Sequence, residues 1–195
     1  MTGPAGPFAP VLEVEALLSR FDRPWFIAGG WAIDLFLGKV SRVHEDVDVA
    51  VLRRDQRNLR AHLAGWAFEK IVAGRREPWR EGEWLSLPVH EVHVRRTNGG
   101  PREVEFLLNE ARDGTWIFRR DARVTRPLSK IRMVTRSGIP FLAPAIVLLY
   151  KAKDPTPNDD ADFEQVRPRL GLVRRLWLRG ALETCYPGHS WIPRL

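Results

Sequence analysis

Asp46 and Asp48 stand in the run His44-Glu45-Asp46-Val47-Asp48-Val49-Ala50-Val51. Over residues 46–51 a carboxylate or small residue alternates with valine. That is the period of a strand, so both aspartates are expected on one face, with Val47, Val49 and Val51 packed in a core. Two residues along a strand span about 7 Å, at roughly 3.4 Å per residue. Carboxylates at that spacing converge on one cation or flank a pair. Their hard oxygens suit Mg²⁺ and, through it, a nucleoside triphosphate.

Upstream lies Gly29-Gly30. Glycine serves where the backbone takes unusual dihedrals or a ligand comes close. A strand–Gly-Gly–helix junction also aims helix N-terminal amides at one point, which favours a phosphate. A glycine pair alone is more often structural, and an Asp-x-Asp string is common on solvated strand faces. Here the aspartate strand is otherwise apolar and follows the glycines by 16 residues, room for one helix and a return. In that order the two motifs point to metal-dependent nucleotidyl transfer.

A metal pair usually wants a third carboxylate, and Glu103-Val104-Glu105-Phe106 offers two on one strand face. Glu105 is favoured because it lies deeper in the apolar segment. It is a candidate metal ligand, or a base for the proton of an acceptor hydroxyl. His44 is a candidate for bonding a phosphate or substrate, with capping of the strand entry as the plainer role. Lys151 and Lys153 end an apolar helix, where they suit its C-terminal dipole; Lys151 is also a candidate to neutralise a triphosphate. Asp159, Asp160 and Asp162 open the next helix and read as structural. His90 and His93, three apart on an expected strand, fall on opposite faces, which argues against a shared metal. Glu77, Glu81, Glu83 and Glu91 are candidates for an acidic cleft that would receive an amine-bearing substrate.

The elements that must position these residues follow from periodicity. A helix is expected over 10–21, a buried strand over Trp25–Ala28 and a helix over Trp31–Leu37 closed by Gly38. The acidic strand follows at 46–52 and an amphipathic helix at 55–64, with Leu59 and Leu63 inward. Strand-like pieces lie at 67–72, 83–87, 89–95, 102–108 and 115–119. Beyond Pro140 helices are expected over Ala145–Lys153, 159–166 and 172–184. The fold class is α+β, a mixed β-sheet flanked by helices with a small C-terminal helical unit. Residues 1–140 form the expected catalytic domain. Residues 141–195 form a helical subdomain packed on it, since about 55 residues are marginal alone.

Bulk properties bound the reading. The chain has 195 residues, 44% hydrophobic and 28% charged, ordinary for a soluble globular protein. The longest apolar run, about Ala145–Tyr150, is far short of the roughly 20 residues that span a bilayer, so no membrane association is expected. Residues 1–7 read as a loose tail without signal-peptide features. Cys185 is the only cysteine, which excludes an internal disulfide and fits a cytoplasmic protein. A net charge of +7 attracts polyanions. The arginines are scattered, however, with no basic block, so nucleic acid is possible but not favoured as a partner.

The stretch Trp25-Phe26-Ile27-Ala28-Gly29-Gly30-Trp31-Ala32-Ile33-Asp34 … Gly38-Lys39-Val40-Ser41-Arg42-Val43-His44-Glu45-Asp46-Val47-Asp48 resembles the signature of the small antibiotic nucleotidyltransferases. These are the aminoglycoside 2″-adenylyltransferase and lincosamide nucleotidyltransferase group, of the polymerase-β-like nucleotidyltransferase superfamily. The likeness is close over about residues 24–52. It implies the polymerase-β-like fold, two Mg²⁺ ions and ATP or another NTP as donor. It further implies that Gly29 and Gly30 hold the triphosphate, that Asp46 and Asp48 hold the metals, and that Glu105 binds the second metal or activates the acceptor. The expected reaction moves a nucleotidyl group to a hydroxyl of a small molecule, such as an aminoglycoside-like antibiotic or related sugar. Alternatives are a protein or tRNA acceptor, and a catalytically inactive nucleotide-binding module.

Overall fold

The computed structural model describes residues 6–96 and 103–195. The first five residues of the expected tail, and Arg102 of the expected strand 102–108, lie outside the described residues. Helix α1 (Ala9–Leu18) leads into β1 (Trp25–Ile27), α2 (Gly29–Leu37) and β2 (Asp48–Leu52), the strand–turn–helix–strand start read from the sequence. Gly38 ends α2 in the left-handed conformation, φ 72°, where a side chain is costly. After a 3₁₀ turn at Arg53–Asp55, α3 (Gln56–His62) buries Leu59, and Leu63 just beyond it is buried too.

Then come β3 (Trp66–Val72), β4 (Arg75–Pro78), β5 (Glu91–Arg96), β6 (Val104–Arg112) and β7 (Thr115–Ile117). Strand β4 escapes a hydrophobicity reading because all four residues are exposed. It is an edge strand, tied to β3 through a turn in which both Ala73 (φ 49°) and Gly74 (φ 76°) are left-handed. The strand expected at 83–87 is a loop. Leu85 is buried, but its backbone is satisfied by a side chain: Gln56 Oε1 accepts from its N–H at 2.7 Å, and Gln56 Nε2 donates to its carbonyl at 3.1 Å.

Short elements β8 (Thr125–Pro127), α4 (Leu128–Ile131), β9 (Arg132–Val134) and β10 (Pro140–Leu142) follow, then α5 (Pro144–Lys151), α6 (Pro157–Val166) and α7 (Leu172–Cys185). The sheet is mixed, in the order β4-β3-β5-β6-β2-β1-β10-β9, with β7 on β6 and β8 on β7. β2/β6 and β1/β10 are the parallel pairs. The join at 140/141 between the two expected units falls inside β10, and the helix that follows it, α5, packs on α2, α6 and α7.

Register sorts the central strands into two faces. Val49 pairs with Phe106 and Phe106 with Val92, and all three are fully buried in a core that also holds Val11, Val14 and Leu59. The opposite face carries Asp48, Glu105 and His93, which are successive register partners across β2, β6 and β5. No helix among the described residues is long and apolar enough to cross a membrane.

Candidate active site

A cavity of about 520 Å³ opens over this polar face, between the start of α2, the strands β2 and β6, and α5. Asp48 and Glu105 stand directly abreast on parallel strands, and their carboxyls share a hydrogen bond. Burial, then the charge of Asp46, raises the Asp48 carboxyl to about 6. Burial, then Asp48 and Glu91, raises Glu105 to about 9. These are hard-oxygen donors packed into mutual repulsion, a set that a divalent cation fits because it would supply the charge that both burial and crowding demand.

Asp46 corrects one expectation. It is not on the strand but in an exposed bend before β2, because its backbone carbonyl accepts Trp31 Nε1 at 2.8 Å and turns the chain there. It still lines the cavity, and its charge reaches both Asp48 and Glu105.

Both glycines are required by close approach. Gly29 has φ 53°, and a Cβ there would lie 1.9 Å from Asp48 Oδ2. At Gly30 a Cβ would lie 2.4 Å from His44 Cε1 and 2.6 Å from Arg42 Nη2. The main-chain N–H of Ala28 donates to the Asp48 carbonyl at 2.8 Å, which fixes the turn against β2. Ala28 is the N-cap of α2 and gives it no side-chain cap, so the positive end of the helix faces the cavity beside Asp48.

His44 and Lys151, the two candidate phosphate contacts, are both engaged within the protein. His44 Nε2 lies 2.6 Å from Asp34 Oδ2, its ring packs 4.6 Å from Trp31, and its side chain is nearly fully buried. Nδ1 faces Gly30. Lys151 lines the cavity while paired with Asp159 and, at 3.1 Å, with Asp162. Asp159 also forms a capping box with Thr156, the helix-start role expected of it. Asp162 is fully buried, reaching Arg42 at 3.9 Å as well, so it does more than cap a helix.

Sequence reasoning missed Glu91 and His93 as neighbours of Glu105. One ligand atom of each of these three residues lies within 4.8 Å of the others. His93 Nε2 is 2.8 Å from Glu91, and its Nδ1 is 2.6 Å from Glu103. The alternation Glu91-Val92-His93-Val94 was the available signal, and reading His93 only against His90 concealed it. His90 precedes β5 and lines the cavity separately. Of the four glutamates expected to form an acidic cleft, only Glu91 joins the site. Glu77 sits on the exposed edge strand, and Glu81 and Glu83 line a second cavity, Glu83 tied to Lys70. The first cavity instead gathers Arg42, Arg119, Arg120, Asn109 and Tyr150.

A mixed sheet that sets an uncapped Gly-Gly helix start against abreast carboxylates defines a nucleotidyltransferase. The chain belongs to the aminoglycoside-2″-adenylyltransferase family, whose model matches residues 10–166. Among solved structures it is similar to ANT(2″)-Ia in complex with adenylyl-2″-tobramycin, at 16% identity and TM-score 0.58, covering 91% of this chain and 95% of that one. The solution structure of the antibiotic-resistance factor ANT(2″)-Ia is similar at 17% identity and TM-score 0.59, covering 90% and 91%. The lincomycin-bound lincosamide antibiotic adenylyltransferase LnuA is similar at 16% identity and TM-score 0.55, covering 81% and 94%. At such identities these likenesses establish the fold. No curated protein is matched by the chain.

Proposed function

We propose that this enzyme moves AMP from ATP, with two Mg²⁺ ions, to a hydroxyl of a small sugar-containing molecule of the aminoglycoside-antibiotic kind, in the cytoplasm. The observation that carries the reading is the register pair Asp48–Glu105, with Gly29 stripped of any side chain beside it. Had Glu105 been remote from Asp48, an inactive nucleotide-binding module would have been the better account.

In this reading Asp46, Asp48 and Glu105 hold the metals, with Glu91 and His93 behind Glu105. When bound, the metals supply Lewis-acid stabilisation of the attacking and departing oxygens. The amides at the start of α2 bind the triphosphate, which Gly29 and Gly30 allow to approach the backbone. Lys151, braced by Asp159 and Asp162, borders that triphosphate as a fixed positive group, and His44, held by Asp34, stands beside the glycine turn. Fixed dipoles and charges of this kind need no reorganisation as the reaction proceeds. The acceptor oxygen forms its bond to the α-phosphorus, the bond to pyrophosphate breaks, and the proton of the hydroxyl passes to Glu105. Glu105 can take that proton only in its ionised form, which bound cations would favour over the protonated form that burial and crowding impose without them. Residues 1–140 carry the carboxylates and glycines, and residues 141–195 contribute Tyr150 and Lys151 to the opposite wall.

The test is to incubate the protein with ATP, Mg²⁺ and a panel of aminoglycosides and lincosamides, reading pyrophosphate release and locating the added nucleotide by mass spectrometry. Absence of pyrophosphate with every sugar hydroxyl offered would overturn the proposal.

A further inference from the structure

Across β6 from Asp48 lies a second group of donors suited to a metal ion. Strand β6 runs between β2 and β5, so Glu105 has Asp48 as its register partner on one side and His93 on the other. Alternation along Glu91-Val92-His93-Val94 puts Glu91 on the same face as His93, while the fully buried Val92 and Val94 pin the strand beneath. His93 Nε2 is 2.8 Å from Glu91 Oε1 and 3.9 Å from Glu105 Oε2.

The other ring nitrogen settles the tautomer. His93 Nδ1 lies 2.6 Å from Glu103 Oε1. Arg76 grips both oxygens of Glu103, each at 2.6 Å, so that carboxylate is ionised and only accepts. The proton is therefore on Nδ1, and Arg76 Nη2, 3.2 Å from the same nitrogen, makes no bond to it. An imidazole N–H held by a carboxylate, with the opposite nitrogen aimed at oxygen donors, is the arrangement that orients metal-binding histidines.

Nε2 faces two carboxylates, so a positive charge belongs between them. A proton on Nε2 serves Glu91 at 2.8 Å and leaves Glu105, at 3.9 Å, outside hydrogen-bond reach. A metal ion serves all three. Their ligand atoms already lie within 4.8 Å of one another. Donors about 2.0–2.2 Å from an ion stand about 2.8–3.6 Å apart when adjacent and about 4 Å apart when opposite, so an inward movement of about 1 Å completes the set. The Glu91 side chain is 29% exposed, which leaves an entry path.

We propose that Glu91, His93 and Glu105 form a cation site distinct from the one at Asp46 and Asp48, and that it takes a divalent transition ion of the zinc kind. An imidazole donor favours such ions, whereas Mg²⁺ keeps to oxygen. Three protein donors leave a further coordination position for water. The inference goes beyond the nucleotidyl-transfer reading, and its test needs no nucleotide.

The test titrates Zn²⁺ into the full-length protein by calorimetry in excess Mg²⁺, which fills the oxygen-only site, with Co²⁺ as a spectroscopic probe. One equivalent of Zn²⁺ should bind, and it should still bind in Asp48→Asn. Glu103→Gln leaves all three donors in place and should weaken binding about 10- to 100-fold, the scale of losing an outer-shell partner. His93→Gln, checked as folded by circular dichroism, should weaken it further. In the Co²⁺-loaded protein the His93 Nδ1–H should give a paramagnetically shifted, exchangeable proton resonance that His93→Gln lacks. Zn²⁺ binding that is lost in Asp48→Asn or unchanged in His93→Gln would place the ion elsewhere and overturn the inference. Failure of the wild type to bind Zn²⁺ would overturn it as well, leaving a proton where the ion is proposed. Absence of pyrophosphate release with every acceptor would instead strike the nucleotidyl-transfer reading and leave these titrations unaffected.

Discussion

Asp34 and Asp48 both lie beside the glycine turn, yet they meet opposite surroundings. Asp34 is fully buried on α2 and accepts from the Ser41 N–H at 3.1 Å, the Ser41 hydroxyl at 2.5 Å and His44 Nε2 at 2.6 Å. Every donor around it satisfies it. Asp48 faces Asp46, Glu105 and Glu91, and the charge of Lys151 offsets theirs only in part, so its carboxyl stays raised. A carboxyl saturated with donors is scaffold, because its hydrogen bonds tie the segments around it together. A carboxylate buried among other carboxylates is held at a cost to stability, which function offsets.

That contrast breaks most sharply at Asp48 itself. Asp48→Asn should reduce transfer by on the order of 10³-fold or more, the scale of losing a group that stabilises transition-state charge. Its melting temperature should equal or exceed that of the wild type, since one repelling charge is gone. Pyrophosphate release near the wild-type rate in this variant would end the metal-ligand assignment. Asp34→Ala should behave in reverse. Removing one partner of a buried pair costs about 3–5 kcal/mol, readable as a lower denaturant midpoint, and any fall in transfer should track the unfolded fraction and a raised KM for ATP. An Asp34→Ala protein as stable as the wild type would show that the Ser41 and His44 contacts do not brace the turn.

How much of this was legible follows from where each interaction lies in the sequence. The Gly-Gly helix start, its Gly38 cap and the apolar positions of β2 are local patterns, and they were read correctly. Glu105 was legible as a deep carboxylate on a strand, but its partner was not. A parallel register between β2 and β6 spans 57 residues of sequence and is set by packing of two buried valine- and phenylalanine-bearing faces. Asp46 was misassigned because alternation cannot see a tryptophan donor that ends the strand early. The loop at Leu85 carries a strand-like apolar residue whose backbone is satisfied by Gln56, a contact across 29 residues. The ion pairs of Lys151 and His44 were invisible for the same reason: residue type gives a charge, and only the fold gives its partner.

The comparison between satisfied and crowded carboxylates can be sharpened by pH. Asp48 rises from an ordinary 3.8 to about 6, and Glu105 from 4.5 to about 9. Both groups bind protons more tightly folded than unfolded. Their contribution to stability is therefore full below the unfolded values and is lost as pH rises through the folded ones. His90 and His189 are shifted downward by burial and act in the opposite sense near neutrality. The clean window is therefore from about pH 7 to about pH 9, where Glu105 is still titrating. Across it the melting temperature of the protein in chelator should fall. Added Mg²⁺ should raise it most at the alkaline end, where the cation competes with no proton. A melting temperature that climbs with pH over this window would refute the crowding of Glu105.

The smallest effect is expected where acidic residues lie outside both arrangements. Glu77 is on the exposed edge strand β4, and Glu81 is exposed beside the second cavity. Neither lines the cavity that holds Asp48 and Glu105, so their charges act through solvent and are screened within about 8–10 Å at ordinary ionic strength. The double substitution Glu77→Gln/Glu81→Gln should change stability by less than about 0.5 kcal/mol, as surface changes of this kind do. It should also leave KM for the acceptor within about twofold, a small effect at the scale of exposed charges. Steady-state kinetics on the preferred acceptor, run beside Asp48→Asn, checks both halves at once. A large rise in KM for an amine-bearing acceptor alone would mean that these glutamates do form a cationic-substrate cleft.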